Sequence, residues 1–355
     1  MSATNAATAV RRAPRGAADR ARAPLPTLAL GLDIGGTKTA CVVTDAEDRL
    51  LLHDVVPTDP GRLAGQVVSI ARAAVERFAQ GGVAGQTIGA IGVALPGQVD
   101  SATGVVGLAV NLGAPQLQLG RLVEQELGLR CFVEHDARAA AAWVHLRARQ
   151  HSAGDAADDL VYVSIGTGIS TGIVLDGRPL RGQNGLTGEI GHLPTALSGE
   201  RCPCGLDGCL ETIAAGPAIA RQARAGVAAG RQTTLTSSAT ASDVFRAAEA
   251  GDELAAEITD RVAGALAGAI RGLVLTLGVR RVVIGGGVAA AGEPLLERIS
   301  AVIADERGRS PLVETAFRDA TLELLPPDLE AGARGAAAIA RQRAAETARE
   351  GVAER

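Results

Sequence analysis

What most constrains the fold of this chain is a short pattern that occurs twice. Residues 28–32 are an apolar run ending in Asp33-Ile34-Gly35-Gly36-Thr37-Lys38, after which residues 39–44 are again apolar and β-branched. Residues 160–165, then Gly166-Thr167-Gly168, then residues 170–175 repeat that arrangement. Each stretch predicts strand, glycine turn, strand. A plain hairpin would also favour Gly-Gly, but it has little use for an aspartate at an apolar-flanked corner. The repeat predicts an α/β chain of two βββαβ halves, each presenting a glycine hairpin to a shared cleft. Backbone amides freed by the glycines of both turns, with the Thr37 hydroxyl and the Lys38 ammonium nearby, can cradle the oxygens of a nucleotide triphosphate. Asp33, at the end of its strand, can hold a hydrated Mg²⁺.

The rest of the chain fills in around the repeat. Hydrophobic spacing predicts strands over 50–56, 87–95, 130–133 and 281–284. It predicts helices over 61–79, 137–150, 216–229, 241–250, 255–277 and 331–350, and a turn over 96–100. Gly264, Gly268 and Gly272 in the long 255–277 helix suggest close packing. The strand at 281–284 runs into Gly285-Gly286-Gly287, a third glycine turn, where a missing side chain permits backbone contact with adenine or ribose. Residues 151–158 are polar and Gly/Ala-rich, with the look of a lobe boundary.

Three places carry chemistry. Asp136 falls where a strand gives way to a helix. A capping role is the plain alternative there, but the same helix end keeps the carboxylate ionised and aims it into the cleft, where it can take a proton from a hydroxyl. Asn111 offers a donor and an acceptor together, although Asn is also a routine turn residue. Gly188-Glu189-Ile190-Gly191-His192 followed by Cys202, Cys204 and Cys209 reads as H-x9-C-x-C-x4-C. One imidazole and three thiolates close in sequence are the ligand set of a structural Zn²⁺ site. The alternatives are a zinc staple with no ligand nearby, or a cluster of buried cysteines. Glycines 205 and 208 allow tight turns between ligands, and the metal would fix Glu189 and Glu211, two acceptors suited to a polyhydroxylated ligand.

At 355 residues the chain is long enough for two domains. A net charge of −4 leaves no electrostatic footprint for nucleic acid, so a small-molecule partner is expected. No apolar run reaches the length of a membrane span, and the opening Ala/Arg-rich segment lacks the core of a signal peptide. A disordered tail over residues 1–27 and a soluble cytoplasmic location are the expectations. Of 35 basic residues only Lys38 is lysine.

Taken together, the Asp33–Lys38 stretch, the Glu134-His135-Asp136 corner, Gly166-Thr167-Gly168, the Gly188–His192 stretch, the three cysteines with Glu211, and Gly285-Gly286-Gly287 resemble the ROK family of bacterial sugar kinases and sugar-sensing repressors. The resemblance runs from about residue 28 to 340. It implies an actin-like, ribonuclease H-like two-lobed ATPase fold that closes over ATP and a hexose. A first lobe would span 28–137 and be rejoined by the helix at 331–348. A second lobe would span 138–330, with the zinc loop at 188–211. By the same resemblance Asp136 is the base, and Gly97, Asn111, His135, Glu189, His192 and Glu211 surround the sugar. ATP would lie on Asp33, Gly35, Gly36, Thr37, Lys38, Gly166, Thr167, Gly168, Gly285, Gly286 and Gly287, and family members form dimers or tetramers. Relatives usually carry Asn where His135 stands and more glycine where Ser170 and Thr171 stand. The expected reaction is phosphorylation of glucose at its 6-hydroxyl, with N-acetylmannosamine, N-acetylglucosamine or fructose as alternative substrates. A repressor is the alternative of another class. The short segment ahead of the first strand, shorter than three helices require, argues against it.

Overall fold

The structure, a computed structural model, describes residues 28–353 apart from 82–86, 108–115, 152–158 and 196–198. The N-terminal segment 1–27, Asn111 and most of the expected lobe-boundary loop lie outside the described residues.

The first half runs β1 (Leu28–Ile34), β2 (Lys38–Asp45), β3 (Leu50–Pro57), α1 (Leu63–Gly81) and β4 (Ile88–Leu95). It continues through a two-stranded ribbon, β5 (Val99–Asp100) and β6 (Val105–Val106), where the sequence suggests only a turn, then α2 (Leu119–Leu127), β7 (Cys131–His135) and α3 (Asp136–His151). The second half runs β8 (Leu160–Ile165), β9 (Ile169–Leu175), β10 (Arg178–Pro179), α4 (Glu211–Ala214), α5 (Gly216–Ala228), α6 (Ala241–Glu249) and α7 (Glu253–Leu277). It closes with β11 (Arg281–Gly285), α8 (Glu293–Arg309), α9 (Pro311–Phe317), β12 (Thr321–Leu324) and α10 (Ala331–Ala353).

The two sheets have the same strand order, β3-β2-β1-β4-β7 and β10-β9-β8-β11-β12. In each, the first three strands are antiparallel and the last two join in parallel. The repeat therefore extends one parallel strand beyond the βββαβ unit read from the sequence. β12 was not expected, because four residues of Thr-Leu-Glu-Leu are too short to display a period.

Alternation along β1 decides what each face does. Leu28, Leu30, Leu32 and Ile34 enter one core, with α1 and α2. Ala29, Gly31 and Asp33 fall on the opposite face, toward α10. A second core gathers Val161, Val163 and Ile165 of β8 with α5 to α9. Between the sheets lie α10 and α3, pressed almost main chain to main chain. A Cβ on Gly31 would stand 1.9 Å from the Ala333 carbonyl oxygen, and one on Gly92 would stand 2.0 Å from that of Ala336. On the other sheet, a Cβ on Gly172 would meet the Ala137 oxygen at 2.0 Å. Gly335 would meet that of Ala139 at 1.9 Å, which joins the two helices. This is why both helices are so rich in alanine. The glycines of α7 are a different matter: nothing lies within 4 Å of a Cβ built on Gly264 or Gly272, so they face outward and the close packing expected there is absent.

Candidate functional site

The carboxyl ends of the parallel strands converge in each sheet, the position where open α/β sheets bind ligands. In the first sheet Asp33 pairs with Ala94 and Leu95 with His135, so Asp33, the Pro96-Gly97 bend and the His135-Asp136 corner share one end. Gly97 has φ +99°, a conformation that favours glycine. The Asp33 carboxylate lies against the start of α10, where a Cβ on Gly332 would come within 2.2 Å of Oδ2. Asp33 keeps some contact with solvent, yet the protein packed around its carboxyl, and then the charges of Asp136 and Glu330, push its pKa up to about 7. Crowded carboxylates of this kind suit a divalent cation, whose charge reverses the repulsion. Glu330 is held at φ 48°, unusual for a residue with a side chain and costing about 1 kcal/mol. Its Oε1 is 3.8 Å from Lys38 Nζ and 3.4 Å from His53 Nε2, which ties the first glycine turn to the head of α10.

His135 ends β7 and Asp136 opens α3. Asp136 Oδ1 accepts the Ala137 N–H at 2.6 Å, so the helix end does engage this carboxylate, while 29% of the side chain remains exposed to the cleft. His135 is buried, with Nδ1 3.3 Å from Asp136 Oδ1 and Nε2 3.1 Å from Glu189 Oε1. Burial pulls the His135 pKa down, but the Asp136 charge and the Glu189 hydrogen bond outweigh it and the net direction is up. Glu189 is penalised by burial but held below the usual carboxylate range by His135. Asp136, His135 and Glu189 thus form one row.

Beneath this row is a buried hub that sequence reasoning missed. Glu134 accepts hydrogen bonds from Ser101 Oγ at 2.7 Å, Arg138 Nε at 2.8 Å and Arg181 Nε at 2.7 Å. Burial raises the Glu134 pKa, and Arg181 and Arg138 more than reverse that, so the group stays ionised. Arg138 also donates to the carbonyls of Gly185 and Thr187 and so supports the segment leading to Glu189. A charged pair four apart at a strand-helix corner, Glu134 and Arg138, was the available signal.

Glycine lays that segment against β9. A Cβ on Gly188 would be 1.9 Å from the Thr171 oxygen, and one on Gly191 2.3 Å from that of Ile169. Glu189 and His192 consequently sit at either end of a single 3-10 turn, Ile190–His192, with the His192 N–H donating to the Glu189 carbonyl. From there the chain reaches the cysteines through turns in which Gly205 and Gly208 have φ of +97° and +73°, as expected. The ligand atoms of His192, Cys202, Cys204 and Cys209 all lie within 4.8 Å of one another. Cys202 Sγ is 3.6 Å from His192 Nδ1, and Cys204 Sγ 3.6 Å from Cys209 Sγ. A tetrahedral Zn²⁺ with bonds of about 2.0–2.3 Å requires edges of about 3.5–3.8 Å. These two separations have that length, and one imidazole with three thiolates is the donor set such an ion takes.

Glu211 belongs to both neighbourhoods of the second half. Its Oε1 accepts from Cys202 Sγ at 3.0 Å, and its Oε2 lies 3.1 Å from where a Cβ on Gly168 would be. It therefore stands beside the second glycine turn, a placement the sequence did not suggest. That turn is closed by the Gly166 N–H donating to the Gly168 carbonyl, with Thr167 between them, and the Gly216 N–H donates to the Gly166 carbonyl at 2.9 Å. The third turn meets it, with Gly287 N 4.0 Å from a Cβ on Gly166. Gly286 has φ +87° and packs on the Ile165 backbone, while Gly285 is kept bare by the Tyr162 ring. Gly216, recognisable only as a Gly-Pro helix start, is the residue missed here. In the first turn the Gly35 N–H donates to the Lys38 carbonyl, and Gly36 and Thr37 are exposed.

Comparison with known proteins agrees with this geometry. The family model described as ROK matches residues 29–343. The glucokinase of Halalkalibacterium halodurans is 35% identical over 280 residues, 76% of this chain and 83% of that protein. The structure of a ROK family glucokinase from Streptomyces griseus in complex with glucose and AMPPNP superposes with a TM-score of 0.72 at 29% identity, covering 89% of this chain and 99% of that one. A ROK family transcriptional regulator homologous to the Escherichia coli MLC protein superposes with a TM-score of 0.76 at 26% identity, covering 90% of this chain and 78% of that one.

Proposed function

This chain belongs to the ROK family, and on that premise we propose that it is an ATP-dependent sugar kinase that phosphorylates a hexose at the 6-hydroxyl, with glucose the first substrate to test. The observation that carries the proposal is the row Asp136–His135–Glu189 at the end of the first sheet, where a partly exposed carboxylate stands beside groups able to hold a sugar.

In this mechanism Asp136 accepts the proton of the sugar hydroxyl as its oxygen attacks the terminal phosphorus of ATP in line, the bond from that phosphorus to the β,γ-bridging oxygen breaks, and ADP leaves. Glu189, His192 and His135 hold the neighbouring hydroxyls, with Gly97, Asn111 and Glu211 completing the sugar subsite. His135 stands where relatives use an amide, and with Nδ1 facing Asp136 and Nε2 facing Glu189 it holds those two carboxylates in line. Gly36, Gly168 and glycines 285–287, with Thr37, Lys38 and Thr167, would present backbone and side-chain donors to the nucleotide, while Gly35 and Gly166, whose N–H groups close their own turns, leave its phosphates room. Asp33 would hold Mg²⁺, which when bound neutralises phosphate charge. His192, Cys202, Cys204 and Cys209 would hold Zn²⁺, which fixes the segment bearing Glu189 and takes no part in the chemistry. Two lobes, 28–137 with 331–348 and 138–330, would close on the substrates.

An ADP-release assay across glucose, fructose, mannose, N-acetylmannosamine and N-acetylglucosamine tests the proposal. Turnover with one hexose well above the others supports it and names the substrate. Sugar binding with no ADP release for any of them overturns the kinase assignment in favour of a sugar-sensing regulator, which the similarity to the MLC homologue makes the second reading.

A further inference from the structure

About 20 Å along α3 from Asp136, by the 1.5 Å rise of a helix, the middle layer opens into a cavity of about 650 Å³. Its walls are the later turns of α3, the β9–β10 hairpin and α10. Six arginines line it: Arg149, Arg178, Arg181, Arg341, Arg343 and Arg349. Against them stands a single acid among the described residues, Glu346, which already accepts a hydrogen bond from Gln342.

This concentration departs from the way the chain treats arginine elsewhere. Arg72 faces Glu126, Arg231 faces Glu257, Arg281 faces Glu323 and Arg307 faces Glu314. Among the described residues, Arg181 alone of the six is within ion-pair distance of a carboxylate, that of Glu134. Arg341 is 4% exposed, yet its Nε has no hydrogen-bond partner among the described residues, while its other end donates to Thr44. Arg343 stacks on Phe132 and donates to the Ser101 carbonyl, and Glu134 and Glu346 act on it only through space, as Asp45, Glu47 and Asp48 do on Arg341. Burial, and then the nearby Arg181 charge, lower the Arg343 pKa. A buried guanidinium with an unused donor, set among like charges, is costly unless an anion completes it.

We propose that this cavity is a binding site for a small polyanion carrying phosphate, either a diphosphate or a sugar phosphate. The planar donor fork of arginine matches phosphate oxygens bidentately, and several uncompensated guanidiniums suit a ligand with more than one negative charge. A bound anion would span the edge of the second sheet, through Arg178, and the two helices of the middle layer, α3 through Arg149 and α10 through Arg341, Arg343 and Arg349. It would also compete with Glu134 for Arg181, so occupancy communicates with the His135 corner. The proposal does not depend on which reaction the cleft performs.

The test is calorimetric titration of the full chain with inorganic pyrophosphate, with hexose 6-phosphate, and with citrate as a carboxylate control. The same titrations are made on Arg149→Ala, Arg349→Ala and the double variant, whose folding is checked by circular dichroism because both side chains are exposed. Phosphate binding should weaken about tenfold in each single variant and about 100-fold in the double one, the usual scale for charge-assisted hydrogen bonds. Tight binding of the sugar phosphate through these arginines names a phosphoester ligand, and binding of pyrophosphate alone names a diphosphate. No binding, binding unchanged in the double variant (an anion on the glycine turns instead), or citrate bound as tightly as phosphate would each overturn the proposal.

Discussion

The two halves share a strand order but brace their glycine turns by different means. The first turn is held by continuous secondary structure: β1 leads into it, Lys38 reaches Glu330, and Asp33 rests on the first residues of α10. The second has Glu211 beside it, and Glu211 follows Cys209 of the histidine-cysteine group by two residues. Duplication supplied one frame twice, and the insertion between β10 and α4 gave one copy a histidine-cysteine group able to hold a metal. The contrast suggests a division of labour, with the first half setting the rate of the chemical step and the second setting the affinity for sugar.

The sharpest way to break that division is Asp136→Asn. It should lower kcat by about 10²-fold or more, the reach of general-base catalysis, with sugar KM nearly unchanged. Steady-state kinetics showing near-normal kcat would remove the first half from its assigned role. Next in size is Cys204→Ala, or treatment with a chelator. Loss of the fixed carboxylates should raise sugar KM about tenfold or more. The nearness of Glu211 to the Gly168 turn predicts a smaller rise in ATP KM as well. Elemental analysis of the same samples ties both effects to zinc, and equal kinetics with and without metal would dissolve the contrast between the halves.

The smallest expected effect lies where the halves meet, at His135. Because its folded pKa is raised, the imidazole stabilises the fold fully below the ordinary histidine pKa of about 6.5, and that contribution is lost as pH rises through the folded value. The melting temperature of His135→Asn should therefore fall below that of the native chain at pH 6, by about 2 °C, and approach it at pH 9. A gap that widens with pH would mean that the histidine is held neutral, and that the row linking Asp136 to Glu189 is not charged.

The duplication was legible because glycine turns between apolar β-branched runs leave a strong local mark, and the cysteine spacing is a stronger one. Less visible was anything decided by tertiary contact. β10 and β12 are too short to show a period, and β10 ends in a proline at the sheet edge. Glu330 owes its place to a left-handed backbone that nothing in its neighbours announces. The spacing of Gly264, Gly268 and Gly272 suggested a packing seam, yet they face away from the core, because glycine records that space is needed or merely tolerated without saying which. At the site, the residue types that converge were readable, but not that Glu211 stands beside the second turn or that Glu134 and Arg138 underpin the Asp136–His135–Glu189 row.

The main-chain contacts of the middle layer bear on how this sequence can drift. At Gly31, Gly92, Gly172 and Gly335 a single added methyl would land within about 2 Å of a carbonyl oxygen, and no rotamer exists that could move it aside. The smallest residues in the chain are thus among its least replaceable. Homologues that depart from glycine at these four points must have re-spaced a helix against a sheet, whereas exchanges among the large apolar side chains of either core can be absorbed by repacking.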